Sequence, residues 1–219
     1  MTSFVGRDDD VATARKLLGG TRVLTLTGVG GVGKTRLSRR VGAVARRAFP
    51  DGVWLVELAH VSDPDLVAST VARELGVRDD TATPQAALTA HLAEAELLLI
   101  LDNCEHVIGA CAALADRLVP ATTGLRILAT SREPLGVPGE QILPVAPLPV
   151  PEQADLDSPA TRLLVDRATA ADPNFGQRAT DAATLAAICR RLDGIPLALE
   201  LAALRMRMFT PRAGPGPPR

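Results

Sequence analysis

Aromatic side chains are nearly missing from this chain. There is no tyrosine, one tryptophan and four phenylalanines in 219 residues. A core must therefore be packed from Leu, Val and Ala, and an apolar content of 47% is enough for one. Charge of either sign is not in excess. The net charge of −1 gives no global pull toward nucleic acid or membrane. Cysteine is scarce as well: Cys104, Cys111 and Cys189 have neither C-x-x-C spacing nor a metal-type pairing with histidine. They read as small buried hydrophobes of a reducing compartment. No apolar run has the length of a membrane span, and Met1 is not followed by a basic-then-apolar leader. The expected location is cytoplasmic, with no membrane partner.

What is present is a glycine loop. Gly28-Val29-Gly30-Gly31-Val32-Gly33-Lys34-Thr35 fits G-x-x-x-x-G-K-[ST]. The apolar, β-branched stretch 22–27 precedes it, and an amphipathic helical pattern from Arg36 to Ala48 follows it. Glycines let several backbone N–H groups converge on one anion, and the helix N-terminus adds its partial positive charge. In this pattern Lys34 reaches the β- and γ-phosphates and the Thr35 hydroxyl ligates Mg²⁺. The nucleotide-contacting set is Gly28, Gly30, Gly31, Val32, Gly33, Lys34, Thr35 and Arg36. A bare glycine turn would leave the Lys-Thr pair unexplained.

Strand-length apolar runs alternate with helical patterns. The expected strands are 22–27, 53–58, 97–102, 125–130 and 141–145, and the expected helices 8–18, 35–48, 64–76, 84–94 and 106–118. This alternation predicts an α/β fold, a parallel five-stranded sheet flanked by helices on both faces. Leu97 to Leu101 is apolar throughout, as a central strand buried on both faces requires. In the helix after the loop, Leu37, Val41, Val44 and Ala48 form one stripe and Arg36, Arg40 and Arg47 another. The arginine stripe reads as a solvated face or as a surface for an anionic partner. Five prolines between 144 and 159 mark a linker, followed by helical patterns at 160–171, 181–193 and 196–208. The expected domains are 1–148 for phosphate binding, 149–159 as a Pro-rich linker and hinge, 160–209 as a small helical domain, and 210–219 as a disordered tail.

A phosphate loop does not choose a reaction. The run 97–101 ends in Asp102-Asn103, where a carboxylate at the carboxyl end of a buried strand can hold Mg²⁺ through water. A helix cap is the plainer role for the same residues. Glu105 is the nearest acid able to polarise a water, because Asn103 cannot act as a base. The next strand ends in Thr130-Ser131-Arg132, and Arg132 there can sense a γ-phosphate or be an ordinary surface arginine.

The order of these motifs carries a resemblance. Phe4-Val5-Gly6-Arg7-Asp8 precedes the loop, 98–106 (LLILDNCEH) and 127–132 (ILATSR) follow it, and 192–200 (LDGIPLALE) comes last. The series resembles the signal-transduction NTPases of the NB-ARC/STAND type, and in particular the ATPase modules of actinobacterial transcriptional regulators of the LuxR and antibiotic-regulatory (SARP) types. The resemblance implies that Val5 and Arg7 lie against adenine and ribose, and that Asp102 is the Mg²⁺-associated acid. It implies that Arg132 contacts the γ-phosphate and that Pro196, in the G-x-P motif, packs on adenine. Proline at a helix N1 position accounts for Pro196 equally well.

Two departures bear on activity. Many relatives of this type carry a second acid where Asn103 stands, so hydrolysis is expected to be slow or to rest on Glu105. They also continue past the helical domain, whereas this chain stops at Arg219, so a detached switch core or truncated reading frame is expected. The expected function is a regulatory switch that binds ATP or ADP with Mg²⁺, in which Lys34, Asp102, Glu105 and Arg132 carry a weak ATPase activity. Protein partners or self-association are expected. Direct DNA binding is not, since no basic recognition helix stands out. A small-molecule kinase with Glu57 as base and a non-hydrolysing, ADP-holding scaffold are the alternatives. Neither N-K-x-D nor L-S-G-G-Q occurs, which sets aside GTPases and transporter ATPases.

Overall fold

Four apolar residues followed by one acid, Leu98–Asp102, form β3, which is buried at every position. It lies inside a parallel sheet with β1 (Val23–Thr27), β2 (Val53–Glu57), β4 (Arg126–Ser131) and β5 (Glu140–Pro144), in the order β2-β3-β4-β1-β5. The computed structural model describes residues 3–77, 83–153, 155–172, 175 and 181–209. The expected α/β class is therefore the observed one. The expected tail at 210–219 lies outside the described residues.

The chain divides into two compact units, Arg7–Val145 and the combination of Met1–Gly6 with Ala146–Arg219. In the first, α1 (Asp8–Gly20) and α2 (Lys34–Ala45) cover one face of the sheet. The other face carries α3 (Val67–Glu74), α4 (Pro84–Leu92) and α5 (Ile108–Ala121). Side chains alternate along each strand, so Leu99, Leu101, Ile127 and Ala129 pack into one cluster with Val71, Leu88 and Leu118. Both faces being covered explains why the central strands lack a polar alternation. β2 and β5 are the edges and are partly exposed, and an edge tolerates Pro144 because no neighbour needs its N–H.

Helix boundaries depart from the sequence pattern where the pitch changes. α2 stops at Ala45 and a 3₁₀ turn occupies Arg46–Ala48. The tighter turn rotates the phase, so Ala48 is exposed and Phe49 is buried in its place. The buried stripe is Leu37, Ser38, Val41, Gly42 and Ala45, not one that runs on to Ala48. Similar 3₁₀ turns at Pro64–Leu66 and Cys104–His106 shorten the helices expected at 64–76 and 106–118 from their N-terminal side.

In the second unit α6 (Pro159–Ala171), α7 (Ala182–Arg191) and α8 (Pro196–Phe209) enclose a core of Leu163, Leu164, Leu185, Cys189, Leu199 and Ala203. Ser158 caps α6, its hydroxyl accepting from Thr161 N–H at 3.3 Å, with Pro159 at the first helical position. The buried Arg167 donates to Glu200 at 2.9 Å and to the Ser3 carbonyl at 2.9 Å, tying the start of the chain to α6. Gly194 has φ +64°, and a Cβ there would stand 2.0 Å from the Leu148 carbonyl oxygen. Leu148 N–H in turn donates to Gly194 O at 3.0 Å, so this position must be glycine.

Candidate functional site

β1 ends at Thr27 and α2 starts at Lys34, which leaves six residues to turn the chain. Gly28, Gly31 and Gly33 take φ values of +150°, +77° and +101°. A Cβ on Gly28 would lie 2.7 Å from the Val145 carbonyl oxygen, so the loop closes against β5 only with glycine. Val32 is fully buried and pins the loop to the core. From outside, Arg7 donates to the Val32 carbonyl at 2.8 Å while its other nitrogen holds Asp10 at 2.7 Å. α2 has no acidic residue in its first turn and no side-chain cap, so the N–H groups there keep their donor capacity for an anion.

Lys34 is buried, and its Nζ donates to the carbonyls of Gly28 (2.7 Å) and Val29 (3.2 Å). Among the described residues it has no ion-pair partner. Burial pushes its pKa below the ordinary lysine value; the negative charge of Glu105 opposes this, Arg132 adds to it, and Asp102 opposes it again. Such a cation gains most from an incoming phosphate.

Asp102 is buried at the end of β3 and accepts from Thr35 Oγ1 at 2.9 and 3.0 Å. Thr130, on β4 beside it, donates to Asp102 Oδ1 at 2.7 Å and accepts from the Asn103 N–H at 2.9 Å. The carboxylate is thus aimed by two hydroxyls. Asn103 sits in the left-handed region, φ 66°. His106 Nε2 lies 2.9 Å from the carbonyls of both Leu58 and Val61, so it carries the proton there, leaving Nδ1 to accept from the Asn103 amide at 3.4 Å. Asn103 is therefore occupied in holding the turn after β3.

Glu105 Oε1 receives Arg132 Nε at 3.3 Å, while Glu105 Oε2 is buried with no hydrogen-bond partner among the described residues. Arg132 is 68% exposed, and one of its terminal nitrogens comes within 3.8 Å of the position a Cβ on Gly30 would take. The arginine thus leans over the glycine loop.

One unit therefore brings together Gly28 to Thr35, Asp102, Glu105, Arg132 and Arg7. Arg36 is exposed on the first turn of α2. Val5 and Pro196 belong to the other unit, where Val5 packs against the helical core and Pro196 opens α8, half-buried. Glu57 ends the edge strand β2, paired with Arg39 at the surface. No sequence signal gives Thr130 or His106 a role. Only strand register puts Thr130 beside Asp102, and only the fold of the chain after β2 places two carbonyls at His106.

Hard oxygen donors at Thr35 and Asp102 fit Mg²⁺, a cation that takes one or two protein ligands and completes its shell with phosphate and water. Among the described residues no group of three His, Cys, Asp or Glu side chains could hold a metal on its own. The orphaned Glu105 oxygen and the unpaired Lys34 fit a polar guest. Among the described residues no helix is long and apolar enough to cross a membrane.

Known proteins resemble this chain in sequence and in fold. A family model described as an AAA domain matches residues 16–131. An uncharacterized protein of Mycobacterium tuberculosis is 41% identical over 212 residues, which are 96% of this chain and 52% of that protein. A putative HTH-type transcriptional regulator of the same organism is 41% identical over 198 residues, 90% of this chain and 22% of the regulator. The chain thus spans about half or less of these relatives. Among solved structures, a signal transduction ATPase with numerous domains and a tetratricopeptide repeat sensor, from Pyrococcus horikoshii, has the same fold. Its TM-score is 0.57 at 16% identity, over 93% of this chain and 30% of that one.

Proposed function

Because the chain belongs to the AAA domain family, we propose that it is a STAND-like P-loop ATPase module of a regulator, a switch operated by ATP and ADP. The observation that carries this reading is the contact of Thr35 and Asp102 beside an unpaired Lys34. In this reading the loop N–H groups of 30–35 bind phosphate oxygens and Lys34 neutralises their charge. Thr35 and Asp102 hold Mg²⁺, which when bound screens the phosphate charge and polarises the γ-phosphoryl group.

The remaining steps fall to side chains of this unit. Arg132 leaves Glu105 for the γ-phosphate, which registers ATP against ADP. Glu105, released, orients and deprotonates a water. Asn103 offers no second carboxylate, which supports slow turnover. Val5 and Pro196 contact adenine in this reading, as the NB-ARC resemblance implies, and 149–159 acts as the hinge. The module works in the cytoplasm through protein partners or self-association and does not itself bind DNA.

Calorimetric titration of ADP and of ATP–Mg²⁺ tests the reading. Lys34→Ala is expected to weaken both by about 100-fold, since a charge-assisted contact to phosphate is lost. Unchanged affinity would remove the site. Phosphate release that is undetectable over hours, with ADP retained through purification, would leave an ADP-holding scaffold instead.

A further inference from the structure

The cations of this chain are unevenly placed. From Val11 to Pro50 there is no Asp or Glu, yet nine Lys or Arg residues occur there. Two of them, Arg15 and Lys16 on α1, face Arg47 after α2 and Arg126 at the start of β4 across one open groove of about 750 Å³. The groove lies at the amino ends of β1 and β4, opposite the glycine loop. Among the described residues none of these four has an ion-pair partner. Arg126 donates to the carbonyls of Leu18 and Thr21. Behind it, burial and the charge of Arg126 push Arg22 below the ordinary arginine value, in keeping with an uncompensated positive field.

The floor between these cations is apolar: Leu18, Val44, Ala45 and Phe49. A face evolved only for hydration has no need of an apolar trough between cationic walls. We propose that the groove docks an acidic peptide segment of a partner protein, seating an apolar side chain on Val44 and Ala48 between Arg15, Lys16, Arg47 and Arg126. Carboxylates of the segment meet the arginine and lysine walls, and its apolar anchor supplies affinity by leaving water. A nucleic-acid backbone fits less well. Phosphates and sugars have nothing to lay on an aliphatic floor, and Phe49, at 8% exposure, offers no face for base stacking. The groove and the phosphate site share no residue, so this inference stands apart from the nucleotide reading.

Fluorescence anisotropy tests it on the full chain. The probes are a labelled short peptide of alternating Glu and Leu, its Glu-Ser counterpart, and single- and double-stranded DNA oligonucleotides. The Glu-Leu peptide is expected to bind, and to bind Arg15→Glu/Arg47→Glu about 10-fold or more weakly, because like charges then face each other. The Glu-Ser peptide is expected to lose a similar factor through the missing anchor. Ala48→Glu, a single exposed change on the groove wall, is a second variant should the double one fail to fold. Unchanged ADP affinity and melting temperature show that the variants retain the native state. Equal binding of the peptide by both variants and wild type, equal binding of the Glu-Ser peptide, or tighter binding of either DNA would overturn the proposal.

Discussion

Single residues decide how this site behaves. Thr130 donates to Asp102, and both side chains are buried. Thr130→Val keeps the shape and strips the hydroxyl. It is expected to cost about 1–3 kcal/mol of stability, read as a lower denaturation midpoint, and to weaken Mg²⁺-dependent nucleotide binding more than Mg²⁺-free binding. Lys34 gives a pH signature. Its folded pKa lies below the ordinary 10.5, so the folded state holds the proton less tightly than the unfolded chain. Stability from this group therefore rises as pH climbs through the folded value toward 10.5, because the unfolded state binds more protons there. A bound phosphate reverses the shift. Nucleotide binding at about pH 9 should thus take up protons, seen as a dependence of the calorimetric heat on buffer ionisation enthalpy, and Lys34→Arg should abolish it. Cys104 is raised well above the ordinary thiol value by its hydrogen bond with Cys111 and by burial, and Cys189 is raised by burial. All three thiols should resist alkylation in the native state and react together on unfolding. Fast labelling of any one without unfolding would contradict the packing described.

Whole elements were legible to unequal degrees. β3 is readable because a strand covered on both faces has one solution, an unbroken apolar run. The glycine loop is readable because its geometry demands positive φ at spaced positions. Arg132 and Glu105 could be named as neighbours of the loop, but their ion pair could not, since it depends on how far β4 extends past β3. The reading of α2 failed at Ala48, because a local 3₁₀ turn leaves no mark in a hydrophobic pattern counted at constant pitch. At this scale Gly194→Ala is informative. Left-handed strain and a clash with the Leu148 carbonyl together predict about 3 kcal/mol of destabilisation, seen as an earlier thermal transition of the helical unit. The glycine of the G-x-P motif thus has a packing duty besides any role of Pro196.

At the scale of the molecule, the two units differ in continuity. The sheet unit, Arg7–Val145, is one uninterrupted stretch, so it is expected to fold when produced alone and to keep phosphate-loop affinity for ADP. A soluble but unfolded 7–145 fragment by circular dichroism would refute this. The helical unit is not continuous: Ser3 meets Arg167 across 164 positions of sequence. During synthesis the first residues leave the ribosome long before α6 exists. They must wait, unsatisfied, while the entire sheet unit is made and folds in the interval. Residues 3–6 are thus made before the sheet unit yet can be placed only after α6 has followed it.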